Sequence, residues 1–452
     1  MVIVGAGIAG LAAAWELSRR GVGNVQLFEA TARAGGAICT ERREGFCLEA
    51  GPDSFLAAKP AAAELCRAVG LGGELTGCAP ARPRTWMLHR ARLEPLPEGW
   101  QFLAPARWWP ALRTRLLSGP AKLRLAQEFL APARLPPGDV SVSAWVRARF
   151  GPEVLDRLVA PLLAGVYGGN PEQLSFAATL PRFAALAAGG SVGRALWRQR
   201  RQSPPGAAPL FLTLRAGMDA LPQALAAAIG AERLHLAQPV AAVRRGRVGD
   251  YQVRLADGAE LSASAVVIAA PAWAAADMLA PLDGAMAAAL AQIPYASAAA
   301  VHLAYAQAPP LPPGFGLLAP RQEGRRLLAA TFVHQKFPHR VPPGAALLRL
   351  FYGGALDAEV LQLPDAGLAM LAREEAAAIL GIAAEADWRR FHRWPRAMPQ
   401  YTLGHAERVA RLEARRARHP RLALAGAAYY GVGLPDAIAS GQAAARAVLD
   451  AG

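Results

Sequence analysis

Gly5, Gly7 and Gly10 stand at G-x-G-x-x-G spacing, and nineteen positions after the last of them comes Glu29. The chemistry this spacing predicts is the cradling of a dinucleotide. Gly5 permits a tight turn, Gly7 lets the backbone approach a pyrophosphate, and Gly10 lets a helix lie close on a strand, with the helix N-terminus presenting free N–H groups and a positive dipole end to the anion. Glu29 is placed to accept hydrogen bonds from ribose hydroxyls and to repel a 2′-phosphate. The glycines alone would describe any glycine-rich turn; the acid at this distance makes the pattern specific. Elsewhere no residue announces itself as a general acid or base. His334 and His339 flank Lys336, but no carboxylate or cysteine stands at ligand spacing, so no metal site is expected.

The elements that must hold these residues are legible around them. Val2-Ile3-Val4 is a β-branched strand, Leu11 to Arg20 an Ala-rich helix ended by Gly21, and Val25 to Phe28 a second strand that delivers Glu29. Ala32-Arg33-Ala34-Gly35-Gly36 resembles the R-x-G-G extension of FAD enzymes in the glutathione-reductase-like and amine-oxidase-like superfamily, which favours FAD over NAD and adds Arg33, Gly35 and Gly36 to the cofactor site. Ala37 to Glu49 reads as a hairpin and His235 to Val243 as a strand, in which Gln238-Pro239-Val240 resembles the place where that superfamily binds adenine through the Val240 backbone. Near the C-terminus, Leu422 to Ala427 is a strand into a turn. Gly431-Val432-Gly433-Leu434 and a helix from Ser440 to Leu449 follow. A second helix N-terminus aimed at a glycine-rich turn suits the isoalloxazine ring and ribityl chain, with Gly426, Val432, Gly433 and Leu434 beside them.

The chain has 452 residues, too many for one ordinary domain, and its 53% hydrophobic content is ample for several cores. The formal charge is +15, with only three lysines (Lys59, Lys122, Lys336) among many arginines. A basic surface suits an acidic substrate or an anionic membrane. No basic run interleaved with aromatics forms a nucleic-acid module. Four cysteines without a C-x-x-C fit reduced thiols and a cytoplasmic protein. No signal peptide is expected, because the first strand starts at once, and no uncharged stretch reads as a bilayer span. From Trp100 to about Arg201 the chain reads as helical, with Trp100, Trp108 and Trp109 among Arg107, Arg113 and Arg115. Such a segment can lie at a membrane interface, although its aromatics also suit a plain core.

The segments Gly51-Pro52-Asp53-Ser54-Phe55-Leu56 with Lys59-Pro60, Leu96-Pro97-Glu98-Gly99, Pro161 to Pro171, and Trp394-Pro395-Arg396-Ala397-Met398-Pro399-Gln400-Tyr401 resemble the bacterial porphyrinogen oxidases of the protoporphyrinogen/coproporphyrinogen oxidase family. The resemblance runs along nearly the whole chain. It departs at Ala437, where that family often has Cys, and at Gly426-Ala427 in place of Gly-Asn. It implies oxidation of a porphyrinogen to the porphyrin in haem biosynthesis, with FAD as cofactor, dioxygen as acceptor and hydrogen peroxide released. It further implies a cofactor-side role for Trp394, a propionate partner in Lys59, and peripheral contact of the helical part with the inner face of the cell membrane. The fold expected is α/β: a discontinuous Rossmann-like FAD-binding domain (1–58, 206–270, 391–452), an α+β substrate domain (59–94, 271–390) and an inserted helical domain (95–205). Other FAD-dependent enzymes of the amine-oxidase or carotenoid-desaturase type, and a non-catalytic flavin scaffold, are the rival readings. Oligomeric state and the choice between coproporphyrinogen III and protoporphyrinogen IX stay open.

Overall fold

The computed structural model describes all residues except 80–83, 131, 133–137, 203–208, 248 and 451–452. Arg82, a further basic candidate for the substrate, and the expected division at 205/206 lie outside the described residues.

Five short parallel strands form the first sheet, in the order Leu234–His235, Gln26–Phe28, Val2–Val4, Val266–Ile268, Leu422–Leu424. They come from three separate stretches of chain, as a discontinuous α/β fold requires. Because successive side chains point to opposite faces, Ile3, Leu27, Val267 and Ala423 pack beneath helices Ile8–Arg19, Ala220–Ile229 and Leu434–Asp450. Val2, Val4, Phe28, Val266 and Ile268 face the antiparallel sheet Val240–Arg245, Tyr251–Leu255, Glu260–Ala263 and helix Ala272–Leu279. Burial on both faces explains why these strands are continuously apolar rather than alternating.

A second, seven-stranded sheet runs in the order Trp388–Pro399, Tyr295–Tyr305, Ala346–Gly353, Ala329–Phe332, Gly316–Leu318, Thr85–His89, Arg92–Pro95. Helix Asp365–Leu380 covers one face through Leu368, Ala372, Ala376 and Ile379. The other face meets Phe46 and Leu48 of the hairpin that follows the glycine turn. Helices between Trp108–Arg113 and Val192–Gln202 make a third layer, with Trp145 stacked on Phe176 at 4.1 Å in its core.

Several expectations are corrected. Helix Pro60–Ala68 shares the core of the first sheet, through Ala62, Ala63, Leu65 and Cys66, although residue 59 was expected to open the substrate domain. The division expected at 390/391 falls inside strand Trp388–Pro399, whose pairing with Tyr295–Tyr305 keeps it in the second sheet. The strand read over His235 to Val243 is two strands in two sheets, Leu234–His235 and Val240–Arg245, broken by a left-handed Ala237 at φ 55°. Of the three tryptophans considered for a membrane interface, Trp100 is buried and Trp108 packs against Phe129 at 4.6 Å. Trp109 is 62% exposed, with Arg113 over its ring. Among the described residues no helix is long and apolar enough to cross a membrane.

Candidate active site

The glycine turn leaves Val2–Val4 and opens helix Ile8–Arg19, with Gly7 as N-cap and no side chain capping it. The three glycines have three different surroundings. A Cβ on Gly5 would lie 2.9 Å from the Ala269 carbonyl oxygen, and one on Gly10 only 1.8 Å from that of Gly5; at Gly7 it would meet nothing within 4 Å. Gly5 and Gly10 therefore close the turn against its own protein, whereas Gly7 borders open space at an uncapped helix N-terminus. That is the cradle a pyrophosphate needs, and the residues fit one.

Glu29, at the end of the second strand, accepts from Ala6 N–H at 2.7 Å and from the N–H and hydroxyl of Thr31 at 2.9 and 2.8 Å. Arg33 is exposed but folds back onto its own loop. Its guanidinium donates to the carbonyls of Ala34, Ile38 and Gly36, folding the loop so that Gly35 N–H reaches the Ala6 carbonyl at 2.8 Å. Gly36 is left-handed at φ 59°, and a Cβ there would stand 3.1 Å from Gly7 Cα. Val240 is buried and begins its strand opposite Leu255.

The second glycine turn lies at the start of helix Leu434–Asp450, which begins six residues earlier than Ser440. Gly441 lets this helix cross Ile8–Arg19 in contact, since a Cβ there would sit 2.0 Å from the Ala9 carbonyl oxygen. Ser440 Oγ accepts from Gly426 N–H at 3.0 Å. The Tyr401 hydroxyl ties both sides of the turn, donating to the Ala427 carbonyl at 2.6 Å and accepting from Gly431 N–H at 2.7 Å. Burial raises its pKa above the ordinary tyrosine range.

Between the two turns lies an apolar cavity of about 240 Å³, lined by Ile8, Ile38, Pro52, Tyr167, Met398 and Val432 among others. Val432 and Leu434 stand on this lining; Gly426 and Gly433 flank it. All three layers contribute to it. Among the described residues the one titratable group of the lining is Tyr167, which donates its hydroxyl to the Thr179 carbonyl, and burial pushes its pKa up to about 12. This wall can orient and dehydrate a ring, but among the described residues it holds no acid or base tuned for proton transfer near neutral pH.

Behind Pro52, the segment Glu49–Asp53 is gripped by cations that the sequence reading did not single out as a group. Glu49 and Arg340, both essentially unexposed, pair at 3.0 Å. Burial pushes the Glu49 carboxyl up, against the pull of Arg340. Arg349 donates to the carbonyls of Ala50 and Gly51 at 3.0 and 2.7 Å, and Trp394 Nε1 donates to the same Ala50 carbonyl at 2.8 Å. Lys336 holds both Asp53 oxygens at 3.0 Å. Burial would raise the Asp53 carboxyl, but Lys336 and Arg349 hold it well below the usual carboxylate range. The signal was present: Arg349 interrupts the apolar run Ala346 to Tyr352, and a charge in a buried strand needs a partner.

Lys59 stands at the N-terminal boundary of helix Pro60–Ala68 without capping it, and its ammonium lies 2.6 Å from Asp436, in the first turn of the second cradle helix. Its side chain is 48% exposed, does not line the apolar cavity, and is already engaged with a carboxylate.

The family model for flavin-containing amine oxidoreductases matches residues 8–449. The chain belongs to that family. This flavin oxidoreductase uses FAD, as the cradle geometry fits and as Arg33-Ala34-Gly35-Gly36 implied. A coproporphyrinogen III oxidase of Propionibacterium freudenreichii is 36% identical over all of this chain and 91% of its own length. One of Bacillus subtilis is 31% identical over 99% of this chain and 97% of its own. A crystal structure from Exiguobacterium sp. 255-15, at 31% identity, superposes with a TM-score of 0.87 and covers 99% of this chain and 98% of that one. The likeness to porphyrinogen oxidases carried by Gly51–Leu56 and Trp394–Tyr401 is thereby borne out, as is the α/β fold class.

Proposed function

We propose that this oxidoreductase converts a porphyrinogen to the porphyrin, with coproporphyrinogen III the expected substrate and dioxygen the acceptor. The observation that carries the reading is the apolar cavity set between the two cradle turns and walled by all three layers, in a chain similar end to end to coproporphyrinogen III oxidases. When bound, FAD supplies the hydride acceptor. Gly5, Gly7 and Gly10 with their helix would hold its pyrophosphate, Glu29 its ribose, and Val240 its adenine. Gly35, Gly36, Gly426, Val432, Gly433 and Leu434 would hold the flavin end, with Arg33 fixing the loop and Trp394 fixing Ala50. The chain's own contribution is then orientation: Ile38, Tyr167 and Met398 exclude water and fix the macrocycle, while protons leave the pyrrole nitrogens without a tuned side-chain base at the wall.

A porphyrinogen carries propionates, so cations belong at the rim. Lys59 is the proposed partner, and its pairing with Asp436 means that a propionate would have to compete with that carboxylate. The domain scheme proposed is a cofactor unit built on the parallel sheet, a substrate unit on the seven-stranded sheet and a helical unit between residues 95 and 205. Exposed Trp109, Leu112, Leu123 and Leu130 on that helical unit support peripheral contact with an anionic membrane from the cytoplasmic side. Binding to anionic vesicles that weakens with salt is expected, and equal binding to neutral vesicles, or none, would contradict it. The function itself is tested by supplying both porphyrinogens to the FAD-loaded protein in air. Porphyrin fluorescence should appear faster with coproporphyrinogen III, and its absence with either refutes the reading.

A further inference from the structure

Ala397, Met398 and Pro399 all line the apolar cavity, although a regular strand turns successive side chains to opposite faces. The cause sits one residue earlier. The pairing between Tyr295–Tyr305 and Trp388–Pro399 slips, with Ala296 opposite Met398 and Ala298 opposite Trp394. Ser297 thus faces three residues, and Arg396, in their middle, takes φ 47°. That left-handed backbone is uncommon for a residue with a long side chain and persists only where the surroundings enforce it.

Three contacts enforce it. The Arg396 N–H donates to Ser297 Oγ at 2.9 Å, its carbonyl accepts from Trp273 Nε1 at 3.3 Å, and its guanidinium lies 4.4 Å over the Trp273 ring. On one side of the bulge Trp394 is fastened to the Ala50 carbonyl; on the other, Gln400 Nε2 donates to the carbonyls of Tyr167 and Met398 at 2.9 and 3.1 Å. Met398 is thereby pressed against the helical layer, where a Cβ on Gly168 would lie 3.3 Å from its sulfur. A second cavity, of about 200 Å³, uses Ser297 and Gln400, residues that flank the same stretch. A shift of Met398 would therefore change the shape of the wall rather than merely loosen a loop.

We propose that the Arg396 bulge is a positioning device. Trp273, Ser297 and Arg396, none of which lines the apolar cavity, hold Met398 as the wall that the periphery of a ring substrate meets, and so help to set which porphyrinogen fits. Bulges beside active sites re-aim side chains in this way. The inference rests on the porphyrinogen reading.

The test uses Trp273→Phe, which keeps a ring but loses the Nε1 donor, and Ser297→Ala, which loses the acceptor. Each FAD-loaded variant is assayed with coproporphyrinogen III and protoporphyrinogen IX, alongside flavin content and Tm. KM should rise by about five- to tenfold with a smaller change in kcat. The ratio of kcat/KM between the two porphyrinogens should shift, with flavin content unchanged. Arg396→Lys, which keeps a cation over the indole, should recover the ratio lost in Arg396→Ala. Wild-type KM and ratio in the variants, whatever their Tm, would overturn the proposal while leaving the function intact. If one variant fails to fold, the other decides. A wild-type protein inactive on both porphyrinogens removes the functional reading and this proposal with it.

Discussion

Gly7 and Gly10 should respond in opposite ways to the same added methyl group. Gly7 has φ −65° and ψ 174°, a backbone open to any residue, and a Cβ there meets nothing within 4 Å. Gly7→Ala should therefore leave the apoprotein as stable as before, or raise its stability by about 0.4–1 kcal/mol by restricting the unfolded chain. The methyl group would nonetheless occupy the space that a pyrophosphate must enter. Losing one charge-assisted N–H contact there costs roughly 1.5–3 kcal/mol, or about ten- to a hundredfold in the Kd for FAD. Gly10→Ala places its Cβ 1.8 Å from a backbone carbonyl oxygen and 3.3 Å from Ala269 Cβ. Neither neighbour is a flexible side-chain end, so the helix must move off the strand, at about 1–3 kcal/mol of fold stability. Urea unfolding of the apoproteins and FAD titration by flavin fluorescence separate the two effects. Undiminished FAD affinity in Gly7→Ala, or wild-type stability in Gly10→Ala, would refute the assignment of cofactor space to one glycine and packing to the other.

Lys59→Ala should raise KM for the porphyrinogen, with a loss of roughly 1–3 kcal/mol for one charge-assisted contact, and leave the flavin spectrum intact; unchanged kinetics with full FAD would move the propionate site elsewhere. Asp283 caps helix Gly284–Ala291 and pairs with Arg415 and His419. Burial would raise its carboxyl, but these partners hold it well below the ordinary value of 3.8. A depressed carboxylate gives stability that is fully present above its unfolded pKa and is lost as pH falls through the folded one. Asp283→Asn should thus lose roughly 1–3 kcal/mol at pH 7 and unfold with a shallower acid dependence below about pH 4, whereas an acid profile parallel to wild type would contradict this.

Much of the cofactor half was legible because its signals are local. Val2 to Val4, the glycine spacing and Glu29 each act on immediate neighbours, and they set Val2–Val4 beside Gln26–Phe28 at the centre of the first sheet. Signals that depend on distant partners were not. Within His235 to Val243 only Gln238-Pro239 marks a break, and a proline that an edge strand tolerates does not tell that the chain changes sheets at Ala237. The bulge at Arg396 depends on Ser297 and Trp273, about a hundred residues upstream. The grip of Lys336, Arg340 and Arg349 on Glu49–Asp53 joins segments nearly three hundred residues apart. Trp100 read equally well as interface or core, since an aromatic beside arginines carries no mark of which side it faces; here its indole N–H donates to the Phe102 carbonyl inside the helical layer.

Oxidation of a porphyrinogen by dioxygen at the site between the two cradle turns is tested by a stoichiometric assay. Coproporphyrinogen III is given to the FAD-loaded protein under air, and porphyrin, oxygen uptake and peroxide are followed together. Three molecules of oxygen should be consumed and three of peroxide released for each porphyrin formed, since loss of six electrons is matched by three two-electron reductions, with initial rates proportional to enzyme concentration. Porphyrin formation no faster than in the enzyme-free control, or turnover without peroxide, would contradict it.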